Sequence, residues 1–374
     1  MKIEKKIETI IKKTNNLMKK IDPSLPLEPR SKSCGGRYTD KFETFFRPNW
    51  TYSFYLGVVM LVYRYTGDTR YIEYLKKCTG VYTDFLFKNE AEIGHDTGFL
   101  YSLYAVPMFK ETNEKIYDVL AEKAADEIAK RFRIKPCHIQ AFFDLRNRGI
   151  TDTVSLLIAD DMMNMNLIMR EYEKTGHSFY CDVFENHILT SAKYLVRDDF
   201  STRHAYNFDV KTGEPLGEMN YCGYSIGSYW SRGAAWIIYG LASALRFTGE
   251  SEKYRYKLEG VLKKYLDSLD GNIIPPWDFR CDEECFLDTS AAAIVASAAY
   301  IIKDLDINER LKERAMKYSD DVILTLCSDE YFAPEEKEFL IVYENGEGSL
   351  WGDYFFCELL MKKHMKEKYS DMWF

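Results

Sequence analysis

Two kinds of apolar pattern alternate along the chain. Five segments, which begin at Tyr65, Glu111, Lys174, Phe247 and Asp304, place apolar residues at helical spacing among polar ones. Between them lie runs that are nearly all apolar and rich in small residues, such as SFYLGVVMLVYRY, WIIYGLASALRF and SAAAIVASAAYIIKDL. A one-sided apolar stripe predicts a surface helix, whereas a helix that is apolar all round is buried. The pattern therefore predicts an outer ring of amphipathic helices around an inner ring of apolar ones.

The amphipathic segments share a signal for the end of one helix and the start of the next. Four of them contain a threonine followed by Gly or Asn, at Thr66, Thr112, Thr175 and Thr248. Gly and Asn end helices in the left-handed conformation, and a polar residue then caps the following helix. Helical units repeated at such long spacing are typical of toroids and solenoids.

Counting the units predicts an all-α fold, an (α/α)6 barrel of six helical hairpins. The first 21 residues form an amphipathic pattern that pairs with the first apolar run, and GDYFFCELLMKKH completes the last pair. No low-complexity linker interrupts residues 1–374, so a single catalytic domain is expected. An open superhelical array is the alternative. The long linkers all precede apolar helices, which favours a closed barrel with a pocket at one mouth.

Composition and charge narrow the classes of function. The chain has 374 residues, of which 46% are hydrophobic and 29% charged, a globular balance. The net charge of −8 and the lack of a dense basic block beyond the first 20 residues disfavour a nucleic-acid partner. No apolar run is long enough to span a bilayer, and the N-terminal segment lacks the apolar core of a signal peptide. We therefore expect a cytoplasmic protein without a membrane partner.

The nine cysteines are scattered and odd in number. The closest pair, Cys281 and Cys285, lies in CDEEC without a matching second pair, which is a weak metal signal. Reduced thiols in a cytosolic protein fit this distribution better.

Polar residues stand directly before the apolar helices. IADDMMN sets Asp160 and Asp161 in an apolar stretch, although ionised carboxylates are costly to bury without partners. Paired carboxylates, a cation and aromatic side chains at one mouth would suit work on a sugar. The residues in question are Trp50, His95, Asp96, Asp160, Asp161, Arg232, Trp236, Asp288 and Asp353.

Each of these positions also has a structural interpretation. Asp288, in LDTSAA, is expected to be a helix N-cap, and Asp353 and Asp96 are further candidates for that role. Arg232 could serve as an ion-pair partner. Aromatic residues make up 15% of the chain, which fits a packed core as well as a sugar-binding groove.

The ordered motifs resemble those of glycoside hydrolase family 88, the unsaturated glucuronyl hydrolases. The matching segments include NWTYSFYLGVVMLVYRYTGD, HDTGFLYSL, HIQAF, DDMMNMNLIM, RHAYNFDVKTGEPLG, GYSIGSYWSRGAAWIIYG, IPPWDF, DTSAAAIVASA and LWGDYFFCELLM. Each is weak alone, but their order and spacing are specific. The family has an (α/α)6 barrel, in agreement with the helix count.

The resemblance implies that Asp96 and Asp160 are the catalytic pair, with Asp161 at a variable position that has a structural or capping role. The substrate-binding positions that it implies are Trp50, His95, Phe142, His204, Cys222, Arg232 and Trp236. Two positions depart from the family pattern, since Cys222 stands where Gln is frequent and Phe142 where Trp is usual. These departures leave the substrate preference open.

The chemistry that the resemblance implies is hydration of the C4–C5 double bond of a terminal unsaturated uronic acid, with Asp160 as general acid and base and without a metal or organic cofactor. The expected partner is an unsaturated uronyl di- or oligosaccharide. The alternatives are a family 105 unsaturated rhamnogalacturonyl hydrolase, a sugar 2-epimerase on a similar barrel, and a carbohydrate-binding barrel without catalysis. The parent polysaccharide, its linkage and sulfation, and the oligomeric state stay open.

Overall fold

The inner ring of the fold consists of the apolar helices. The computed structural model describes residues 3–44, 48–89, 93–142, 155–249, 252–282, 284–366 and Trp373. The inner helices are α2 (Tyr52–Thr66), α5 (Thr97–Ser102) continued by α6 (Ala105–Thr112), α8 (Asp161–Thr175), α10 (Ser231–Thr248), α12 (Thr289–Ile302) and α14 (Leu350–Met365).

The amphipathic helices pack outside this ring, one beside each inner helix. They are α1 (Ile3–Met18), α3 (Arg70–Lys76) with α4 (Thr79–Lys88), α7 (Lys115–Ala129), α9 (Ser178–Tyr194), α11 (Glu252–Ser268) and α13 (Glu309–Leu326). In α1, Ile7, Ile10 and Leu17 are buried, whereas Glu8 and Lys12 are exposed. This one-sided burial confirms the concentric arrangement that the two apolar patterns predict.

The inner ring is closed. Successive inner helices pack side by side from α2 through α5, α8, α10 and α12 to α14, and α14 packs against α2. The (α/α)6 barrel is therefore confirmed, and an open array, whose first and last helices would not meet, is wrong. At the closing contact, a Cβ on Gly57 would lie 2.7 Å from the ring of Tyr354, so this glycine allows α2 and α14 to approach closely.

The short strands in the described parts of the linkers were not predicted. The strands β1 (Leu27–Pro29) and β2 (Phe42–Thr44) pair antiparallel, as do β3 (Phe132–Arg133) and β4 (His138–Ile139). A third antiparallel sheet has the order β5 (Leu156–Ile158), β6 (Ala205–Phe208) and β7 (Pro215–Met219). Strands of two to five residues are too short for an alternating pattern to stand out in the sequence.

The expectation of reduced thiols is wrong for one pair of cysteines. Cys281 and Cys285 are joined by a disulfide, with their Cα atoms 6.8 Å apart, while the other seven cysteines are free. The chain brings Trp277 and Phe286 together on either side of this pair, since the N–H of Trp277 donates to the backbone oxygen of Phe286 at 2.8 Å, which sequence separation alone does not reveal. Within the described ranges, no helix combines the length and apolarity needed to cross a bilayer.

Candidate active site

A polar cavity of about 240 Å³ opens where the linkers precede α2 and α5. Its walls include four residues singled out from the sequence: Trp50, His95, Asp96 and Phe142. Residues 143–154, which follow Phe142, lie outside the described residues. Residues of three separate linkers, those before α2, α5 and α8, therefore meet at one mouth of the barrel.

His95 is held as a cation between a carbonyl and a carboxylate. Its Nδ1 donates to the backbone oxygen of Ala141, and its Nε2 lies 3.1 Å from Oδ1 of Asp96. Burial lowers the pKa of His95, but the charges of Asp96, Asp161 and Asp160 outweigh burial and raise that pKa to about 9. At neutral pH both ring nitrogens of His95 are therefore donors, and the ring orients Asp96.

Asp160 occupies the N-cap position of α8, but its side chain makes no capping bond. Burial raises the pKa of Asp160 to about 6, and the charge of Asp96 adds to this effect, whereas His95 and Arg232 oppose it. Its side chain is 17% exposed, and its Oδ2 has no hydrogen-bond partner among the described residues. A carboxyl group with these properties can exchange a proton near neutral pH.

His204 faces Asp160 as a neutral donor. The backbone N–H groups of Tyr221 and Cys222 donate to its Nδ1 at 2.9 and 3.3 Å. The single proton of the neutral ring is therefore on Nε2, which lies 4.0 Å from Oδ2 of Asp160. Burial and the charge of Arg232 lower the pKa of His204 to about 3, so the ring stays neutral at neutral pH.

Arg232 is anchored at the first turn of α10. Its Nη1 donates to Oδ2 of Asp288 at 2.8 Å and to the hydroxyl of Tyr343 at 2.6 Å. The guanidinium also lies over the rings of Trp230 and Trp351, at 4.7 and 5.1 Å from their centroids. The ion-pair interpretation of Arg232 is confirmed, and its charge still reaches Asp160.

Aromatic rings line the same region. Trp50 stacks on Trp351 with ring centroids 5.2 Å apart. The ring of Tyr221, which is 47% exposed, meets Phe142 and His204 edge to face. Cys222, at one of the departures from the family pattern, is exposed beside Tyr221. The mouth thus offers flat apolar surfaces next to the carboxyl groups.

Comparison with known proteins places this chain in a family. The family described as Glycosyl Hydrolase Family 88 matches residues 29–273. The chain belongs to glycosyl hydrolase family 88. It is therefore a glycoside hydrolase, as the order of its motifs predicted.

Relatives of this family 88 chain cover nearly all of it. It is 29% identical to the unsaturated glucuronyl hydrolase of Bacillus sp. (strain GL1) over 328 residues, 84% of this chain and 86% of that one. It is 31% identical to the unsaturated chondroitin disaccharide hydrolase of Streptococcus agalactiae serotype III (strain NEM316), over 84% of this chain and 81% of the relative. The crystal structure of the Bacillus sp. GL1 unsaturated glucuronyl hydrolase superposes with a TM-score of 0.87 at 28% identity, covering 97% of each chain.

The prediction that Trp236 lies in the sugar site is not supported by the structure. Trp236 is fully buried and packs against Phe99 and Phe355 in the barrel interior. The tryptophan of this segment that lies beside the site is Trp230. Its ring centroid lies 5.0 Å from that of His204, and the guanidinium of Arg232 lies over its face. Both lie in GYSIGSYWSRGAAW, but only Trp230 stands directly before the helix, where the other site residues stand.

The capping predictions have mixed outcomes. Oδ1 of Asp288 accepts from the backbone of Ala291 at 3.0 Å, so Asp288 is the N-cap of α12. Asp353 is not a cap, because Ser349 caps α14. Asp353 instead accepts from the hydroxyl of Tyr38 at 2.8 Å and from two backbone N–H groups of residues 340–341. Asp96 occupies an N-cap position without forming the capping bond, which leaves its carboxylate to His95.

Asp161 and Asp160 differ in how deeply their side chains are buried. Asp161 is 0% exposed, whereas the side chain of Asp160 is 17% exposed. Its Oδ2 accepts from the backbone N–H of Ile158 at 3.3 Å, so a structural contact of the expected kind is present. Within the described ranges, no three His, Cys, Asp or Glu side chains are arranged to hold a metal ion.

Proposed function

We propose that this family 88 chain is an unsaturated glucuronyl hydrolase, which releases a 4,5-unsaturated uronic acid from the non-reducing end of lyase-generated oligosaccharides. The observation that carries the proposal is the environment of Asp160. This carboxyl group is poised to exchange a proton near neutral pH beside a second carboxylate, Asp96, and a neutral donor, His204. The names of the relatives support the same class of substrate.

The reaction requires one group that first gives a proton and then takes one back. Asp160 donates its proton to C4 of the conjugated double bond, which leaves an oxocarbenium-like centre at C5. A water molecule adds to C5 and loses a proton to the Asp160 carboxylate. The hemiketal formed in this way opens, and the glycosidic bond breaks. The acid is regenerated, so no metal or organic cofactor is required.

The neighbours of Asp160 have distinct parts in this scheme. Asp96, held by the protonated His95, keeps a negative charge near Asp160 and accepts hydrogen bonds from sugar hydroxyls or the attacking water. The Nε2–H of His204 is directed toward Asp160 and orients the water or the substrate. Arg232 supplies the positive charge that attracts the substrate carboxylate. Trp50, Phe142 and Cys222 face the sugar.

The epimerase alternative fits the histidines poorly. A pair of histidines acting on a sugar needs at least one neutral ring with a free lone pair. His95 is protonated with both nitrogens engaged, and the lone pair of His204 already accepts two backbone N–H groups. No observation favours the family 105 substrate or a barrel without catalysis.

The decisive variant is Asp160→Asn. Substitution should lower kcat by roughly 10²- to 10⁴-fold, because it removes the group that exchanges the proton. The assay follows the loss of ultraviolet absorbance of the conjugated double bond in an unsaturated disaccharide. Asp84→Asn, an exposed aspartate on α4 that pairs with Lys88, is the matched control and should leave kcat unchanged. Near-normal turnover by Asp160→Asn would refute the assignment of this residue.

A substrate panel tests the class of sugar. Unsaturated disaccharides from glycosaminoglycans, gellan, xanthan and ulvan, with and without sulfate, would be compared by kcat/KM. Turnover of at least one of them is expected. If none is turned over while a rhamnogalacturonan-derived unsaturated fragment is, the family 105 activity replaces this proposal.

A further inference from the structure

Tyr221 is an exposed aromatic residue that the reaction scheme does not use. Its side chain is 47% exposed, and its ring centroid lies 6.4 Å from that of Phe142 and 5.9 Å from that of His204. A single exposed tyrosine has no meaning by itself, because such residues are common on protein surfaces. The position of Tyr221 relative to the candidate catalytic residues therefore decides whether it has a role.

The ring of Tyr221 joins two halves of the candidate site. On one side, Phe142 meets the ring of His95 edge to face, with centroids 5.3 Å apart. On the other side, Nε2 of His204 lies 4.0 Å from Oδ2 of Asp160. Both histidines are buried, whereas almost half of Tyr221 is exposed, so Tyr221 lies on the outer side of this arc of rings.

The backbone around Tyr221 is held in place. Its N–H donates to Nδ1 of His204 at 2.9 Å. The side-chain amide of Asn220 donates to the backbone oxygen of Gly223 at 2.7 Å and accepts from the N–H of Gly223 at 2.9 Å. Phe142 and His204 meet the tyrosine ring at 86° and 82°, so these two rings support it without stacking on it. A ligand that packs on this ring therefore has less conformational freedom to remove.

The proposed reaction determines which part of a substrate meets this ring. C4 of the unsaturated sugar must approach Asp160, which is mostly buried, so the uronic acid occupies the deep part of the site. C1, which carries the leaving sugar, is on the opposite side of the six-membered ring from C4. The leaving sugar therefore points outward, where Tyr221 is exposed beside His204. The C–H groups of a pyranose can pack on an aromatic ring, whereas a small alcohol has no such face.

We propose that Tyr221 is a specificity-determining residue, on whose ring the leaving sugar packs. It favours substrates that join the unsaturated uronic acid to a pyranose over those that join it to a small alcohol. This inference rests on the proposed function, because that reaction defines the leaving sugar. The contact is made with a part of the substrate that does not change in the protonation step, so it lowers KM with little effect on kcat.

The kinetic test uses two substrates with the same unsaturated uronic acid, a disaccharide and the methyl glycoside. Tyr221→Ala should raise KM for the disaccharide about tenfold and change kcat less than about twofold. For the methyl glycoside, both constants should stay within about twofold of the wild type. Tyr221→Phe keeps the ring and should keep KM for the disaccharide within about threefold of the wild-type value.

Tyr256→Ala is the matched control, because it removes an exposed tyrosine ring from the outer helix α11, where the ring meets Phe200. It should leave both constants unchanged for both substrates. If Tyr221→Ala impairs the two substrates equally, the ring acts through His204 and not on the leaving sugar, and the proposal is wrong. An unchanged KM for the disaccharide would also overturn it.

A binding measurement separates this proposal from the proposed function. Calorimetry would compare the affinity of the disaccharide for Asp160→Asn with its affinity for Asp160→Asn combined with Tyr221→Ala. The dissociation constant should be about tenfold higher in the double variant. Equal dissociation constants would overturn the role of Tyr221 and leave the proposed function intact. A tenfold difference without turnover of either substrate by the wild type would overturn the proposed function alone.

Discussion

Neighbouring carboxyl groups differ in their environment at the scale of single residues. Asp96 is 35% exposed and bonded to a charged imidazole, while Asp160 is mostly buried with one oxygen unpaired. Burial favours the protonated form of Asp160. The motif distinguished Asp160 from Asp161 in the sequence, but these environments arise from contacts between α5, α8 and their linkers.

The charge of Asp96 should control the pH range of the enzyme. The raised pKa of Asp160, about 6, means that the acid form is lost as pH rises through that value, so kcat/KM should fall on the alkaline side. Asp96→Asn removes a charge that raises this pKa, so the alkaline limb should move to lower pH and kcat should fall. The profile of kcat/KM against pH checks this.

The control for this prediction is Glu43→Gln, because Glu43 also lines the cavity but is not among the main charges acting on Asp160. The alkaline limb of the kcat/KM profile of Glu43→Gln should stay at the wild-type pH. An equal displacement in both variants would show that general cavity charge, and not Asp96 in particular, sets the pKa of Asp160.

At the scale of elements, the starts of the inner helices position the candidate site residues. The site residues lie in linkers or in the first turn of inner helices, and antiparallel pairing of β5 with β6 brings His204 next to the start of α8. Ala159, directly before Asp160, donates its N–H to the backbone oxygen of His204 at 2.9 Å. The linkers were located from the sequence, but the pairing was not, because β5 and β6 are separated by two helices along the chain.

Asp288 both caps α12 and pairs with Arg232, so its substitution should lower the free energy of unfolding by more than the loss of an N-cap alone. Asp288→Ala removes the N-cap of α12, worth about 1 kcal/mol. It also leaves Arg232 buried without its carboxylate, which costs about 3–5 kcal/mol. Denaturant unfolding should show a loss of several kcal/mol, and kcat/KM should fall.

Ser349→Ala is the matched control, because Ser349 caps α14 by accepting from Gly352, whereas the carboxylate paired with Arg232 belongs to Asp288. It should lose only about 1 kcal/mol. Equal losses of unfolding free energy in the two variants would show that the ion pair adds nothing beyond capping.

At the scale of the whole molecule, the barrel is a closed ring with a filled axis. The aromatic rings of Phe355 and Trp373 stack at 6.0 Å inside it, and Trp373 also packs against Phe99. The indole N–H of Trp373 donates to Oε1 of Glu358 at 3.1 Å. The sequence predicted a buried inner ring, but not that a residue next to the C-terminus fills its centre, because such a contact joins positions far apart in sequence.

Close approach of two inner helices, α8 and α10, sets the position of the start of α8. A Cβ on Gly240, in α10, would lie 2.5 Å from the Cβ of Met162 and 2.7 Å from its backbone oxygen. Gly240→Ala should push α8 away from α10, lower the unfolding free energy by about 1–3 kcal/mol and reduce kcat by displacing Asp160. Thermal unfolding and the disaccharide assay check both parts.

Gly80→Ala provides the comparison, since a Cβ there meets nothing within 4 Å and α4 lies in the outer ring. It should raise stability by roughly 0.5 kcal/mol without changing kcat. A loss of stability in this variant as large as in Gly240→Ala would show that close packing is not the cause.

The sequence by itself determined the helical hairpins, their inner and outer faces and the family, and it singled out the candidate carboxyl pair, because periodicity, helix-end signals and ordered motifs are local properties. Tertiary structure decided the closure of the ring, the choice of Trp230 over Trp236, the disulfide and the neutral form of His204. It also decided the protonation of Asp160 and Asp161. The protonation states depend on burial and on charges brought together from distant segments, while ring closure and the position of Trp230 depend on how the helices pack, and none of these can be calculated from spacing along the chain.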